Sequence, residues 1–248
     1  PNRGHKLLAG LERDFKVTFA YLKTGMALFP GALYAGNVQV RDIGIYLRGG
    51  VEGPRYLSYE REDIKTLCPK RGADAHKGTY GRVLMITGSE GMAGAAILSA
   101  SAAYRMGSGV VRILTPRCNQ AVLQAKLPEV IVTPYKEEIS RQMETLLDWA
   151  DVICAGCGLG MDERTKEVLE TLLIYLENHE KPCVLDADAL NNIAGMEQKK
   201  REMLLSGAGS RLIFTPHVKE FARLLGKTTE ETKKSRMGLA QQYAKTYN

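Results

Sequence analysis

No apolar run in the 248 residues approaches the ~20 needed to cross a bilayer. The opening PNRGHKLLAGLERDFK holds no continuous apolar stretch of signal-peptide length, so the expected setting is soluble and cytoplasmic. There is no long basic tract either: 34 Lys and Arg stand among 28 Asp and Glu, a net charge of +6, which favours small anionic ligands over nucleic acid and is equally what an ordinary basic surface would show. The five cysteines, Cys68, Cys118, Cys154, Cys157 and Cys183, are odd in number and irregularly spaced, so reduced thiols are expected rather than a disulfide framework. No internal repeat or low-complexity segment is present. Position 1 is Pro rather than Met, which suggests a fragment. What is present is an ordinary globular composition, 44% apolar and 25% charged, enough for a sizeable core.

Residues 37–46, NVQVRDIGIY, alternate apolar Val38, Val40 and Ile43 with polar neighbours as a half-buried strand does, after a turn-like FPGALYAG. Val17, Phe19 and Tyr21 suggest another strand. Two strands and a turn make no core alone, so residues 1–47 read as the end of a domain, 48–62 as a Gly-rich linker, and 63–248 as a second domain. From Arg82 onward, RVLMIT, VVRILT, VIVTPY, DVICAG, PCVLDA and RLIFTP alternate with helical stretches. At 94–106, Ala95, Leu98, Ala102 and Met106 line one face; at 162–177, Val168, Leu169, Leu172, Leu173 and Leu176 do. Strands apolar on both faces belong to a parallel sheet covered by helices, so the expected fold is a doubly wound α/β sandwich whose ligands sit at the carboxyl ends of the strands.

Four segments fall at those strand ends by this reading. HKGTYGRVLMITGSEGMAGAA, 76–96, places Gly88, Gly91 and Gly94 between a strand and a helix, where backbone N–H groups and the helix N-terminus favour an anion. It is neither a Walker A loop nor a GxGxxG fingerprint, and a merely tight turn fits as well. His76 and Lys77 add donors or are plain surface residues. In DVICAGCGLGMDERT, Gly156, Gly158 and Gly160 lie before a helix that Asp162 would cap; Cys154 and Cys157 form a C-x-x-C that elsewhere marks redox or zinc sites, here without a second pair. In PCVLDADALNNIAG, Asp186 and Asp188 are placed to hold Mg²⁺, accept ribose hydroxyls or orient a reacting group, or Asp188 caps the next helix. In RLIFTPHVKEFARLLG, Thr215, Pro216 and His217 leave a strand, with Glu220 in the next helix's first turn.

Taken in order, HKGTYG, GSEGMAG, GLG after a strand, DADAL and TPH with a following Glu resemble the ADP- or ATP-dependent NAD(P)H-hydrate dehydratases, which are ribokinase-like. The resemblance runs from about Asp63 to Asn248. Upstream, VTFAYLKTGMALFPGALYAGNVQVRDIGI looks like the closing strands of the NAD(P)H-hydrate epimerase domain that precedes the dehydratase in bifunctional repair enzymes. The resemblance implies that water is removed from the (S)-hydrate of NADH or NADPH at the expense of a nucleotide phosphoanhydride, since phosphorylation would make the hydroxyl a good leaving group. It implies ADP or ATP as donor with Mg²⁺, the small molecules NADHX and NADPHX as substrates, neither nucleic acid nor membrane as partner, and it leaves a homo-oligomer open. Carried over by position, Ala95, Gly158 and His217 would contact the hydrate, with Gly94, Gly160 and Glu220 beside them and Asp186 and Asp188 shaping the pocket.

The chain departs from the family pattern where GPGLG reads GCGLG, with Cys157 for Pro, and where TPHPGE reads TPHVKE, with Val218 and Lys219. The family's Leu-Lys-Gly nucleotide stretch and the Gly-Asp turn that carries its base have no counterpart before Asn248, so the expectation is no catalytic residue and no turnover in these residues alone. The expected isolated chain is also aggregation-prone. A ribokinase-like sugar or vitamin kinase and a non-catalytic nucleotide-binding module are the alternatives; HKGTYG and TPH favour the dehydratase, and the missing base favours the module.

Overall fold

A computed structural model describes residues 15–45, 59, 61–67 and 70–247. By contacts the chain divides into two units, residues 1–71 and 72–248, whereas the sequence reading began the second domain at Asp63. The stretch read as a linker lies almost wholly outside the described residues.

The first unit holds β1 (Phe15–Phe19), α1 (Thr24–Ala27), α2 (Gly31–Ala35), β2 (Asn37–Arg41) and α3 (Arg61–Leu67). β1 and β2 pair in parallel, Phe15 opposite Asn37 and Phe19 opposite Arg41. Both strands are shorter than the alternation suggested. Ala20 follows β1 with φ 62, which takes Tyr21 out of the strand, and beyond β2 the Gly44 N–H donates to Asp42 Oδ1 at 2.8 Å, a side-chain turn that replaces the ladder before Ile43 can join it. The turn-like FPGALYAG contains the short helix α2. Among the described residues of this unit Thr18 and Ala35 are buried, while Phe15, Val17, Phe19 and Val40 are exposed.

In the second unit a 3₁₀ turn, Lys77–Tyr80, leads into β3 (Arg82–Ile86), α4 (Ala93–Arg105), β4 (Val110–Thr115), α5 (Gln120–Lys126), β5 (Ile131–Pro134) and α6 (Ile139–Trp149). Then come β6 (Val152–Ala155), α7 (Glu163–Glu177), β7 (Cys183–Leu185), α8 (Asp188–Gly195), α9 (Gln198–Ala208), β8 (Leu212–Phe214), α10 (Val218–Leu225) and α11 (Thr229–Tyr247). The six strands pair in parallel in the order β5-β4-β3-β6-β7-β8, so the expected doubly wound sheet is present. The inner strands β3, β4, β6 and β7 are covered on both faces: Leu84 and Ile86 pack with α6, α7, α8 and α9, and Met85 packs with α4 and α5. Winding reverses between β3 and β6, which neighbour each other while their successors diverge. That reversal opens a crevice at their carboxyl ends.

The predicted face of α7 is buried in full, Val168, Leu169, Leu172, Leu173 and Leu176 all having no exposed surface. The predicted face of α4 is not. Ala96 and Ala100 are buried, whereas Leu98 is 73% and Met106 79% exposed, with Ala102 also exposed. Alanines at 95, 96, 100, 102 and 103 give the helix two apolar stripes, and the one with the smallest side chains lies against β3 and β4, where close backbone approach wins over bulk. No helix among the described residues is long and apolar enough to cross a membrane.

Candidate functional site at the strand switch point

The turn after β3 is held from both sides. Gly88 donates its N–H to Cys157 O at 3.0 Å, across the crevice, and its carbonyl accepts from Thr115 Oγ1 at 3.2 Å. Asn119 Nδ2 donates to Ser89 O at 3.0 Å and to Thr115 Oγ1 at 2.9 Å, anchoring the loop to the end of β4. Gly94 follows in the first turn of α4, exposed, with nothing within 4 Å of a Cβ built there. First-turn N–H groups of a helix have no intrahelical partner, and Gly94 leaves the space in front of them open.

The turn after β6 is packed instead of open. Gly156 has φ 125 and donates to Ile86 O at 3.0 Å; a Cβ there would overlap the Asp186 carbonyl oxygen and come within 2.8 Å of Ala189 Cβ. Only glycine fits. Gly158, at φ 61, lies on the start of α4, its absent Cβ only 2.7 Å from Ala95 Cβ. The two candidate residues Ala95 and Gly158 therefore meet across the crevice. Gly160 donates its N–H to Asp188 Oδ2 at 3.0 Å and accepts from Asn192 Nδ2 at 2.9 Å, so that peptide is already engaged by α8. Asp162 caps α7 as its sequence position suggested, accepting from Thr165 N at 2.8 Å.

Both carboxylates after β7 are committed. Asp186 Oδ1 accepts from Thr215 Oγ1 at 2.8 Å and Oδ2 from the Cys157 thiol at 3.6 Å. Asp188 is the first residue of α8 rather than its cap, since its carboxylate reaches back to Gly160. Among the described residues no group of three His, Cys, Asp or Glu side chains could hold a metal ion. Each of the Asp186 and Asp188 carboxylates accepts protein donors and keeps further lone pairs.

The loop after β8 ends in a reciprocal cap. His217 Nδ1 accepts from the N–H groups of Lys219 and Glu220, both at 3.1 Å, and Glu220 Oε2 accepts from His217 N at 2.8 Å. An accepting Nδ1 leaves the proton on Nε2, which lies 3.2 Å from Glu220 Oε1. Glu220 is buried while the imidazole is 61% exposed, so the ring is fixed in orientation yet open to a ligand. His217 also lines a cavity of about 730 Å³, together with Phe214, Pro216, Phe221, Arg236 and Tyr243.

Cys154 and Cys157 are free thiols. The hydrogen bond with Cys154, burial and the neighbouring Asp186 carboxylate push the Cys157 thiol above the ordinary cysteine range, so it serves as a donor and not as a thiolate nucleophile. Burial raises Cys183 to about 12.

One expected participant is elsewhere. HKGTYG precedes β3 and sits at the amino edge of the sheet, where His76 Nδ1 accepts from Gly78 N at 3.1 Å and Gly109 N donates to Tyr80 O at 3.0 Å. His76 and Lys77 are thus separated from the glycine turn by the length of β3. Asn119 and Asn192, which the sequence reading passed over, hold the two glycine turns; nothing in their own sequence neighbourhood, which includes Gln120 in one case and Asp188 and Asn191 in the other, marks them out.

A family model for NAD(P)H-hydrate dehydratase matches residues 83–248. The chain is 34% identical to the bifunctional NAD(P)H-hydrate repair enzyme of Moorella thermoacetica over 96% of its own length and 45% of that protein's. With the bifunctional NAD(P)H-hydrate repair enzyme of Escherichia coli it shares 32% identity over 96% of this chain and 43% of that one. It spans less than half the length of these curated relatives. Among solved structures, the ADP/ATP-dependent NAD(P)H-hydrate dehydratase of Bacillus subtilis, co-crystallised with ATP/Mg²⁺, superposes with a TM-score of 0.59 at 28% identity, over 75% of this chain and 61% of that one. A ribokinase-like superfamily protein of Enterococcus faecalis gives a TM-score of 0.59 at 26% identity, over 72% and 61%. The chain belongs to the NAD(P)H-hydrate dehydratase family, in the form it takes among the bifunctional nicotinamide nucleotide repair enzymes.

Proposed function

We propose that the second unit supplies the substrate-binding part of an ADP- or ATP-dependent (S)-NAD(P)H-hydrate dehydratase, and the first the closing part of an epimerase-like domain. Support for the pairing is that relatives named bifunctional match 96% of the chain. The observation that carries the reading is the meeting of Ala95 and Gly158 across the switch point, with His217 tied to the same edge through Thr215 and Asp186. The hydrate, an anionic dinucleotide, lies against the first turn of α4 at Gly94, where the helix N-terminus and its dipole face it. Gly158 and Gly160 form the opposing wall, and the exposed His217 ring, its Nε2 proton steered by Glu220, presents a fixed edge. Asp186 and Asp188 act through the turns they hold.

The nucleotide would supply the phosphoryl group that makes the ring hydroxyl a leaving group, and Mg²⁺ would neutralise charge on its phosphates. The chain's own residues bind and orient the hydrate, which converts an encounter into a positioned reaction. The working compartment is the cytoplasm, and the ligands are small molecules rather than nucleic acid or membrane. The full-length protein, given the hydrates of NADH and NADPH with ADP or ATP, should restore the absorbance of the reduced nicotinamide. Absence of restoration with either nucleotide overturns the proposal. Residues 1–248 assayed alongside test the separate expectation that this part has no turnover by itself.

A further inference from the structure

Asn192 sits in the second turn of α8 between Asn191 and Ile193, 3% exposed. Asparagine is a poor helix former whose amide competes for backbone groups, and both donors of this amide are used: Nδ2 donates to Gly160 O at 2.9 Å and to Asp188 O at 2.7 Å. Two carbonyl acceptors fix which end of the amide is nitrogen, since the flipped rotamer would set oxygen against oxygen. Its Oδ1 is then buried without a partner. An orphaned buried acceptor is unfavourable and rare in native proteins, and a leucine in its place would remove it. The two donors therefore offset that cost, and they go to the glycine turn.

Gly160 is gripped on both sides of its backbone by one helix. Its N–H is held by the Asp188 carboxylate and its carbonyl by the Asn192 amide, while α8 is itself anchored by buried Ala189, Leu190 and Ile193. We infer that Asn192 is a positioning residue for the hydrate site: with Asp188 it clamps Gly160, and through that peptide sets Gly158 against Ala95. Asn192 lies behind the turn and acts through it. This rests on the functional reading above for the identity of the ligand; the clamp itself does not.

The test uses Asn192→Asp, which keeps shape and removes both donors, and Asn192→Ser, a smaller uncharged side chain that covers the case in which a buried carboxylate prevents folding. Leu147→Val, a substitution in the buried face of α6, is the control for simple destabilisation. All are made in the full-length protein. Dehydration rates give KM and kcat, and amide hydrogen exchange read by mass spectrometry follows peptides covering residues 156–162. Both Asn192 variants should raise KM for the hydrate about tenfold with kcat within about twofold, and exchange in 156–162 should be about tenfold faster. Leu147→Val should change neither. An unchanged KM, an equal rise in Leu147→Val, or unchanged exchange in 156–162 overturns the inference. A wild-type protein without turnover defeats the functional reading instead, and the exchange measurement then decides the clamp on its own.

Discussion

Gly156 and Gly94 border the same crevice, yet their neighbourhoods make opposite demands. A methyl at Gly156 would collide with backbone of the β7 turn, so Gly156→Ala should destabilise by about 3 kcal/mol or more, seen as a lower denaturant midpoint. A side chain at Gly94 meets nothing, and valine is no worse a helix former than glycine, so Gly94→Val should leave stability within about 0.5 kcal/mol while filling the space the hydrate needs. Calorimetry on the full-length protein should find the Gly94→Val variant folded and its hydrate affinity reduced; unchanged affinity would count against the site. Both glycines were legible as turn residues. Which one faces a ligand was not, because that depends on Asp186, some 30 positions away. His217 and Glu220 were legible together, since a three-residue spacing at a helix start is a local relation. Asn192 was not: in a short apolar helix it reads as the residue facing water, and only β6's turn lying across α8 reverses that.

Elements show the same division between local and distant information. The inner strands of the second unit stand out because a strand covered on both faces has to be largely apolar. The face of α4 did not, because its alanines fit two stripes and only contact with the sheet selects one. HKGTYG was misplaced for a related reason: a strand reverses edge within a few residues, so neighbours in sequence sit at opposite ends of the sheet. At that amino edge Arg82 and Asp151 join the starts of β3 and β6, Nη2 to Oδ1 at 2.9 Å and the Arg82 N–H to Oδ2 at 2.8 Å. The guanidinium holds Asp151 below the usual carboxylate range. A depressed pKa means that the pair's contribution is present above the unfolded value near 3.9 and fades as pH falls through the folded one. Asp151→Asn should therefore lower the melting temperature at pH 7 and make less difference toward pH 2; an equal loss at both would show that the ion pair is not the cause. β8 poses a separate problem, for it ends the sheet with Ile213 55% exposed. Open edges invite pairing between chains, so residues 1–248 should self-associate on size exclusion and Ile213→Lys should reduce this. A sharply monomeric chain would contradict the edge argument.

At the scale of the second unit, the strand order has a consequence for assembly. β3, β4 and β5 come from residues 82–134 and β6, β7 and β8 from 152–214, so each half of the sheet is one unbroken stretch of chain, and the ladder between them is the β3·β6 seam. The Gly94 turn belongs to one half; Gly158, Asp186 and His217 belong to the other. A ligand in the crevice thus rivets two successive lengths of polypeptide. Severing the chain between Lys136 and Glu138, beyond β5 and ahead of α6, would leave both plates whole, and the hydrate would favour their reunion by mass action. Two co-expressed segments cut there should recover more complex with hydrate present than without it, and no gain would mean the seam does not need the ligand to close.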